Sequence, residues 1–293
     1  MKLKKKIKLY LIVSEEPVFH PIFVEGILKE FSSDDFEIVG VTLAIGSTKK
    51  ISFFRSLKEK LDMFGLYAFC ILSVQSVIYK LFNLLGVKQI TFFSVENVVK
   101  TNNLPCLRSE NVNNDEHINY LKDLDIDIII SSNGHIFKET ILSIPKMACI
   151  NRHTALLPQY GGLWPIFWAM LKNEKVVGQT VHIMIKKIDG GNILAQESFP
   201  IENNTLYKIY DESFCNAAKL LKKAVVNLLS NKFIIPDDNN RSYFSQPNKK
   251  DGILFRKNFS FFKISELIKR SEGSYSLSTK VIKCPTSKNA YNG

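Results

Sequence analysis

Cysteine is sparse and scattered in this 293-residue chain: Cys70, Cys106, Cys149, Cys215 and Cys284 lie far apart and never form a C-x-x-C pair. That spacing excludes a zinc ribbon and a disulfide framework, and it implies a reducing, cytoplasmic setting. Acidic residues are also short, 28 Asp and Glu against 39 Lys and Arg, for a formal net charge of +11. Such an excess suits an anionic ligand or surface, whether a phosphorylated metabolite, a nucleotide, tRNA or an acidic membrane, and does not choose among them. The signatures G-x-G-x-x-G and G-x-x-x-x-G-K-[ST] are missing, which removes the usual dinucleotide and P-loop readings. No internal repeat is present. No apolar run reaches the roughly 20 residues of a membrane span. The uncharged stretch MFGLYAFCILSVQSVIY (63–79) is interrupted by Ser73, Gln75 and Ser76 and closed by Lys80. It predicts a helix that continues to about residue 85 and covers an apolar surface, with a partner subunit or a membrane face as its use.

What is present is an alternation. IKLYLIV (7–13), EIVGVTLAI (37–45) and IDIIIS (126–131) are short β-branched runs separated by helix-like stretches at about 18–31 and 115–124. This order predicts an α/β fold, a Rossmann-like mainly parallel sheet flanked by helices, whose ligands gather beyond the carboxyl ends of the strands. Residues 100–116 carry no apolar period and read as a loop. A helix over about 205–230 has Leu206, Tyr210, Phe214, Ala217 and Leu221 on one face. A domain over 1–204 is therefore expected, followed at 205–293 by this helix and a basic, weakly patterned appendage whose end, from about 275, reads as disordered.

Asn151 and His153 flank one residue after the apolar MACI, so on an extended segment a carboxamide and an imidazole project to the same side. Asp189 sits in IDGGN, a glycine-flanked turn after another strand, from which a carboxylate can approach the same volume. The three suit acyl transfer to an amine: the amide NH₂ stabilises an oxyanion, the His accepts the amine proton, and the Asp orients the His and favours its charged form. By spacing alone the pattern also suits a structural histidine. Trp164 and Trp168 are expected to pack a helix against the sheet. His182 is expected to point off a strand beside the site without taking part, and His20 carries no assigned role.

The stretch CINRHTALLPQYGGLWPIFWAML followed by GQTVHIMIKKIDGGNILAQ resembles the folate-dependent formyltransferases, whose mark is Asn-x-His-x-x-Leu-Leu-Pro with an Asp about 36 residues later in a D-x-G turn. The likeness extends over roughly residues 118–230. It implies N10-formyltetrahydrofolate as formyl-donating co-substrate, a primary amine as acceptor, and Asn151, His153 and Asp189 as the catalytic trio, with no metal. It also implies that Ser131, Ser132, Asn133, Gly134, Ile136 and Phe137, with Ile185, Lys186 and Ile188, hold the pterin ring, mainly through backbone groups.

Two departures stand out. Gly161-Gly162 follows Tyr160 where Arg-Gly is common in the family, so a phosphate or acceptor contact is either missing or supplied by Arg152 or a Lys. His135 occupies a turn position usually filled by an uncharged residue. The wording LLPQYGGLWPIFWA is closest in style to sugar-nucleotide N-formyltransferases, which favours an anionic, nucleotide-linked amino sugar in surface-polysaccharide or lipopolysaccharide synthesis. The alternatives are methionyl-tRNA, glycinamide ribonucleotide, or a non-enzymatic basic binding protein on a degenerate fold. Nucleic acid is not the expected partner; a peripheral membrane contact and a homodimer are both compatible with the sequence.

Overall fold

The computed structural model describes residues 5–46, 53–85 and 93–271. The apolar runs form the middle of a seven-stranded sheet. In chain order the strands are β1 (Ile7–Ser14), β2 (Phe36–Ala44), β3 (Cys106–Ser109), β4 (Ile128–Ser132), β5 (Ala148–His153), β6 (Gly161–Gly162), β7 (Val176–Ile183), β8 (Ile193–Pro200) and β9 (Tyr243–Phe244). The sheet order is β3-β2-β1-β4-β5-β7-β8, with β1 to β5 parallel and β7 and β8 antiparallel, while β6 and β9 pair separately. The expected α/β Rossmann-like architecture is the one observed. Strand order reverses between β1 and β4, and the crevice beyond their carboxyl ends is where such sheets bind ligands.

Strand alternation divides the core into two faces. Leu9, Leu11 and Val13 enter the cluster under α1 (His20–Glu30), α3 (Val95–Thr101) and α7 (Leu206–Leu229). Tyr10 and Ile12 enter the opposite cluster, with Ile129, Cys149, Leu121 of α4 (Asp115–Lys122) and Ile141 of α5 (Glu139–Leu142). The boundary expected at 204–205 falls directly ahead of α7, whose Ala217, Leu221 and Ala224 share the main core with β1. The stretch 100–116, expected as a loop, contains β3 paired to β2. The end from about 275 lies outside the described residues.

The long helix α2 (Phe53–Leu84) is two helices joined at Gly65, where φ is 74° and ψ 165°. Its inward residues Met63, Ala68, Gln75 and Tyr79 are buried. Around Met63 it meets α6 (Pro165–Leu171) and α8 (Lys249–Asn258) in a third apolar cluster with Phe167 and Phe255. Arg256 Nη1 donates to the Met63 carbonyl at 2.6 Å, satisfying a carbonyl freed by the break. The chain after α8 continues through Phe261 to α9 (Ile264–Ser271). α2 is long and apolar enough to cross a membrane by length and composition, the one such helix among the described residues.

Candidate active site

Alternation along β5 sorts its last three residues. Arg152 points to the α1/α7 side and is buried; its Nε donates to Gln179 Oε1 at 2.8 Å, its Nη2 to Ser213 Oγ, and its guanidinium carbon lies 4.0 Å from the centroid of Phe214. Burial lowers its pKa to about 9, so it is charged at neutral pH. Those bonds consume the guanidinium inside the core. Arg152 is therefore not the source of that phosphate or acceptor contact, which leaves it missing or supplied by a Lys.

Asn151 and His153 point to the other side. His153 Nε2–H donates to the Tyr160 carbonyl at 3.1 Å, which leaves Nδ1 as the free nitrogen, 3.9 Å from Asp189 Oδ1. Asp189 occupies its turn in left-handed backbone, φ 50°, a conformation an Asp tolerates better than most side chains. Its Oδ2 accepts the Gly162 N–H at 2.8 Å, and its own carbonyl accepts from Arg241 Nη1 at 3.1 Å. Gly162 has φ 95°, and a Cβ there would stand 2.1 Å from the Phe244 carbonyl. Only glycine lets this backbone pass between β9 and the carboxylate. That accounts for the second glycine of the pair; Gly161, where Arg is common in the family, has no such constraint, since a Cβ there would come no nearer than 3.3 Å to its neighbours.

His182 was set aside on sequence, and the structure places it inside the constellation. It lies opposite Asn151 in the antiparallel β5/β7 register. Its Nδ1–H donates to the Ile183 carbonyl at 2.9 Å, so Nε2 accepts from Asn151 Nδ2 at 3.4 Å; Asp189 Oδ1 is 3.7 Å from the same Nε2. Burial outweighs the pull of Asp189 and lowers the His182 pKa to about 4, so the ring is neutral at pH 7. A neutral acceptor there turns the Asn151 carboxamide so that its NH₂ is the group presented to the site.

The residues expected around a pterin fall into two kinds. Ser131 and Ser132 end β4 and are buried; Asn133 Nδ2 bonds the Ile12 carbonyl at 2.8 Å and Ser131 Oγ at 3.1 Å, tying the ends of β1 and β4 together. Phe137 is spent on the core, where it shares a cluster with Met184 and so joins the two loops. Gly134, Ile136, Ile185, Lys186 and Ile188 are exposed, and three of these five are large apolar side chains left uncovered at the strand ends. A planar ring laid across that rim gains apolar contact there, so the residues fit such a ligand. His20 also reaches this rim, donating from Nε2 to the Ser132 carbonyl at 3.0 Å. His135 is buried, with Nε2 3.2 Å from the Ile45 carbonyl. Trp164 and Trp168, expected to pack a helix against the sheet, lie against the cluster that joins α6 to Val177 of β7 and Phe199 of β8, and they also bond Gln246 and the Ser245 carbonyl and meet Phe64 and Phe244.

Residues 80–233 match the family model described as formyl transferase, and the chain belongs to that family. Among curated relatives, the bifunctional polymyxin resistance protein ArnA of Wigglesworthia glossinidia brevipalpis is 38% identical over 171 residues, 57% of this chain and 26% of that protein. The methionyl-tRNA formyltransferase of Staphylococcus aureus (strain JH1) is 32% identical over 161 residues, 54% of this chain and 52% of that one. The matched part is thus about a quarter of the first relative and half of the second. Two solved structures share the fold. One is the N-formyltransferase from Helicobacter canadensis in complex with folinic acid and dTDP-3-aminofucose, with TM-score 0.51 and 20% identity over 82% of this chain and 71% of that chain. The other is the phosphoribosylglycinamide formyltransferase from Anaplasma phagocytophilum, with TM-score 0.55 and 16% identity over 83% of this chain and the whole of that chain.

Proposed function

We propose that this protein transfers a formyl group from N10-formyltetrahydrofolate to a primary amine, and that the amine belongs to a nucleotide-linked amino sugar. The observation that carries the transfer is the convergence of Asn151, the unshared Nδ1 of His153 and Asp189, with Gly162 N–H fixing the carboxylate. The folate brings an activated formyl carbon, and the apolar rim of Ile136, Ile185 and Ile188 receives its ring system. Asn151 donates one amide hydrogen to His182 and the other to the formyl oxygen, where negative charge develops. The amine nitrogen forms the new C–N bond and gives its proton to His153 Nδ1. The resulting imidazolium lies between the Tyr160 carbonyl and the Asp189 carboxylate, both of which favour it. As the bond from carbon to N10 breaks, His153 returns the proton to N10.

The amino-sugar acceptor is supported by the likeness to ArnA and to a structure holding dTDP-3-aminofucose, together with the chain's excess of basic residues. The test incubates the protein with N10-formyltetrahydrofolate and a panel of nucleotide-linked amino sugars, beside methionyl-tRNA and glycinamide ribonucleotide. A formyl mass gain on one amino sugar is expected. Gain on methionyl-tRNA or glycinamide ribonucleotide alone overturns the acceptor, and no gain on any amine overturns the reaction.

A further inference from the structure

Among the described residues, α2 presents a face that the fold does not use. Its inner side is docked: Phe64 meets Trp164 edge-on at 5.7 Å, and Met63, Ala68, Gln75 and Tyr79 are buried. The outer side repeats at three and four residues and includes Leu66, Tyr67, Val74, Val77, Leu81 and Leu84, exposed by 48 to 82%. A contiguous apolar strip of this length exceeds the scattered single residues of an ordinary soluble surface.

Charge decides what covers it. From Met63 to Val95 the sequence contains no Asp or Glu, and Lys80 stands at the edge of the strip. A second copy docked on the same face would bring lysine to lysine with no carboxylate to pair it, between chains that each carry +11. Basic side chains also rim the N-terminal end. Tyr67 stacks on Phe262 at 6.3 Å, next to exposed Lys263, and the adjoining α8 carries exposed Lys249, Lys250 and Lys257 with Ile253 and Leu254. An apolar strip framed by lysines matches the acyl boundary and anionic headgroups of a bilayer, with Lys80 reaching up to the phosphates. The docked inner side, with Gln75 Nε2 reaching Tyr207 Oη of α7 at 3.5 Å and Tyr79 stacked on Phe93 at 4.3 Å, holds the helix on the domain, so it lies along the surface and does not span.

We propose that α2 seats this protein on an anionic membrane surface, through the strip from Leu66 to Leu84. This does not depend on the formyl-transfer reading. The test measures co-sedimentation of the full chain with vesicles of phosphatidylcholine, with and without phosphatidylglycerol. Binding to the anionic vesicles is expected, weakening as salt is raised. A Val77→Glu, Leu81→Glu double variant should lose roughly tenfold or more of that partition while keeping its circular dichroism, its melting temperature and its activity on soluble acceptor. Lys80→Gln should reduce the preference for anionic lipid. Wild-type protein that stays in the supernatant while folded overturns the proposal, as does equal binding by the double variant. So does a dimer in sedimentation velocity that the double variant abolishes while vesicles capture nothing.

Discussion

At the scale of residues, the site separates groups that touch the reacting atoms from groups that aim them. Replacing Asn151 or His153 by Ala should lower turnover by roughly 10² to 10⁴, the usual reach of oxyanion or general-base assistance, with melting temperature preserved. Asp189→Asn should act similarly. Its amide oxygen still accepts the Gly162 N–H, so the loop keeps its shape while the charge favouring imidazolium is gone. Steady-state kinetics beside thermal melts read this out, and near-normal turnover in the Asn151→Ala, His153→Ala double variant would sink the assignment. His182→Ala removes the acceptor that turns Asn151 and should cost turnover on the order of 10- to 100-fold, more in kcat than in folate affinity. Asn151, His153 and Asp189 could be singled out in the sequence because local order places two on one strand and one in a glycine turn, and the family resemblance then joined them. His182 was not. Alternation shows which side it points to, but its partner depends on the antiparallel register of β5 and β7, which no local pattern announces.

Elements were legible where their apolar period is long, and illegible where pairing alone makes them. β1, β2, β4, α1, α4 and α7 lie within a few residues of the runs that predicted them. β3 did not show, because four residues, Cys-Leu-Arg-Ser, at a sheet edge with one buried position carry no alternation long enough to read. The stacking of Trp168 on Phe244 was not legible, since Phe244 lies on a two-residue strand far along the chain. The break in α2 has a sequence cause in Gly65. Its φ of 74° disfavours any side chain, and a Cβ would come within 3.0 Å of the Arg256 guanidinium. Gly65→Ala should therefore destabilise the protein by about 1–3 kcal/mol in a urea titration. A loss below about 0.5 kcal/mol, the range of neutral surface changes, would mean the joint relaxes freely.

Across the whole molecule, three buried histidines titrate in one direction. Burial holds His117, His135 and His182 below the ordinary value of 6.5, His182 as low as about 4. The unfolded chain therefore binds more protons than the native one as pH falls below 6.5, and their shared contribution to stability is full above 6.5 and drains away toward pH 4. Melting temperature measured from pH 7.5 to 4 should decline across that window. A His117→Asn variant should decline less steeply, at some cost in stability at pH 7, because the Nδ1–H bond to the Val112 carbonyl is lost. A flat profile would contradict the burial account.

The segment after α7 returns to the site without resting on chain continuity. β9 bonds to β6, Trp164 and Trp168 bond Gln246 and the Ser245 carbonyl, Arg241 holds the Asp189 carbonyl, and the buried Phe255 stacks on Phe167 at 4.5 Å. Upstream of these contacts, the turn around Pro236–Asn240 is open to solvent. A protease that nicks this turn should yield two polypeptides that elute together from a sizing column and part only in denaturant. Separately produced pieces, 1–236 and 237–293, should then reassemble on mixing and regain whatever transfer the intact chain performs.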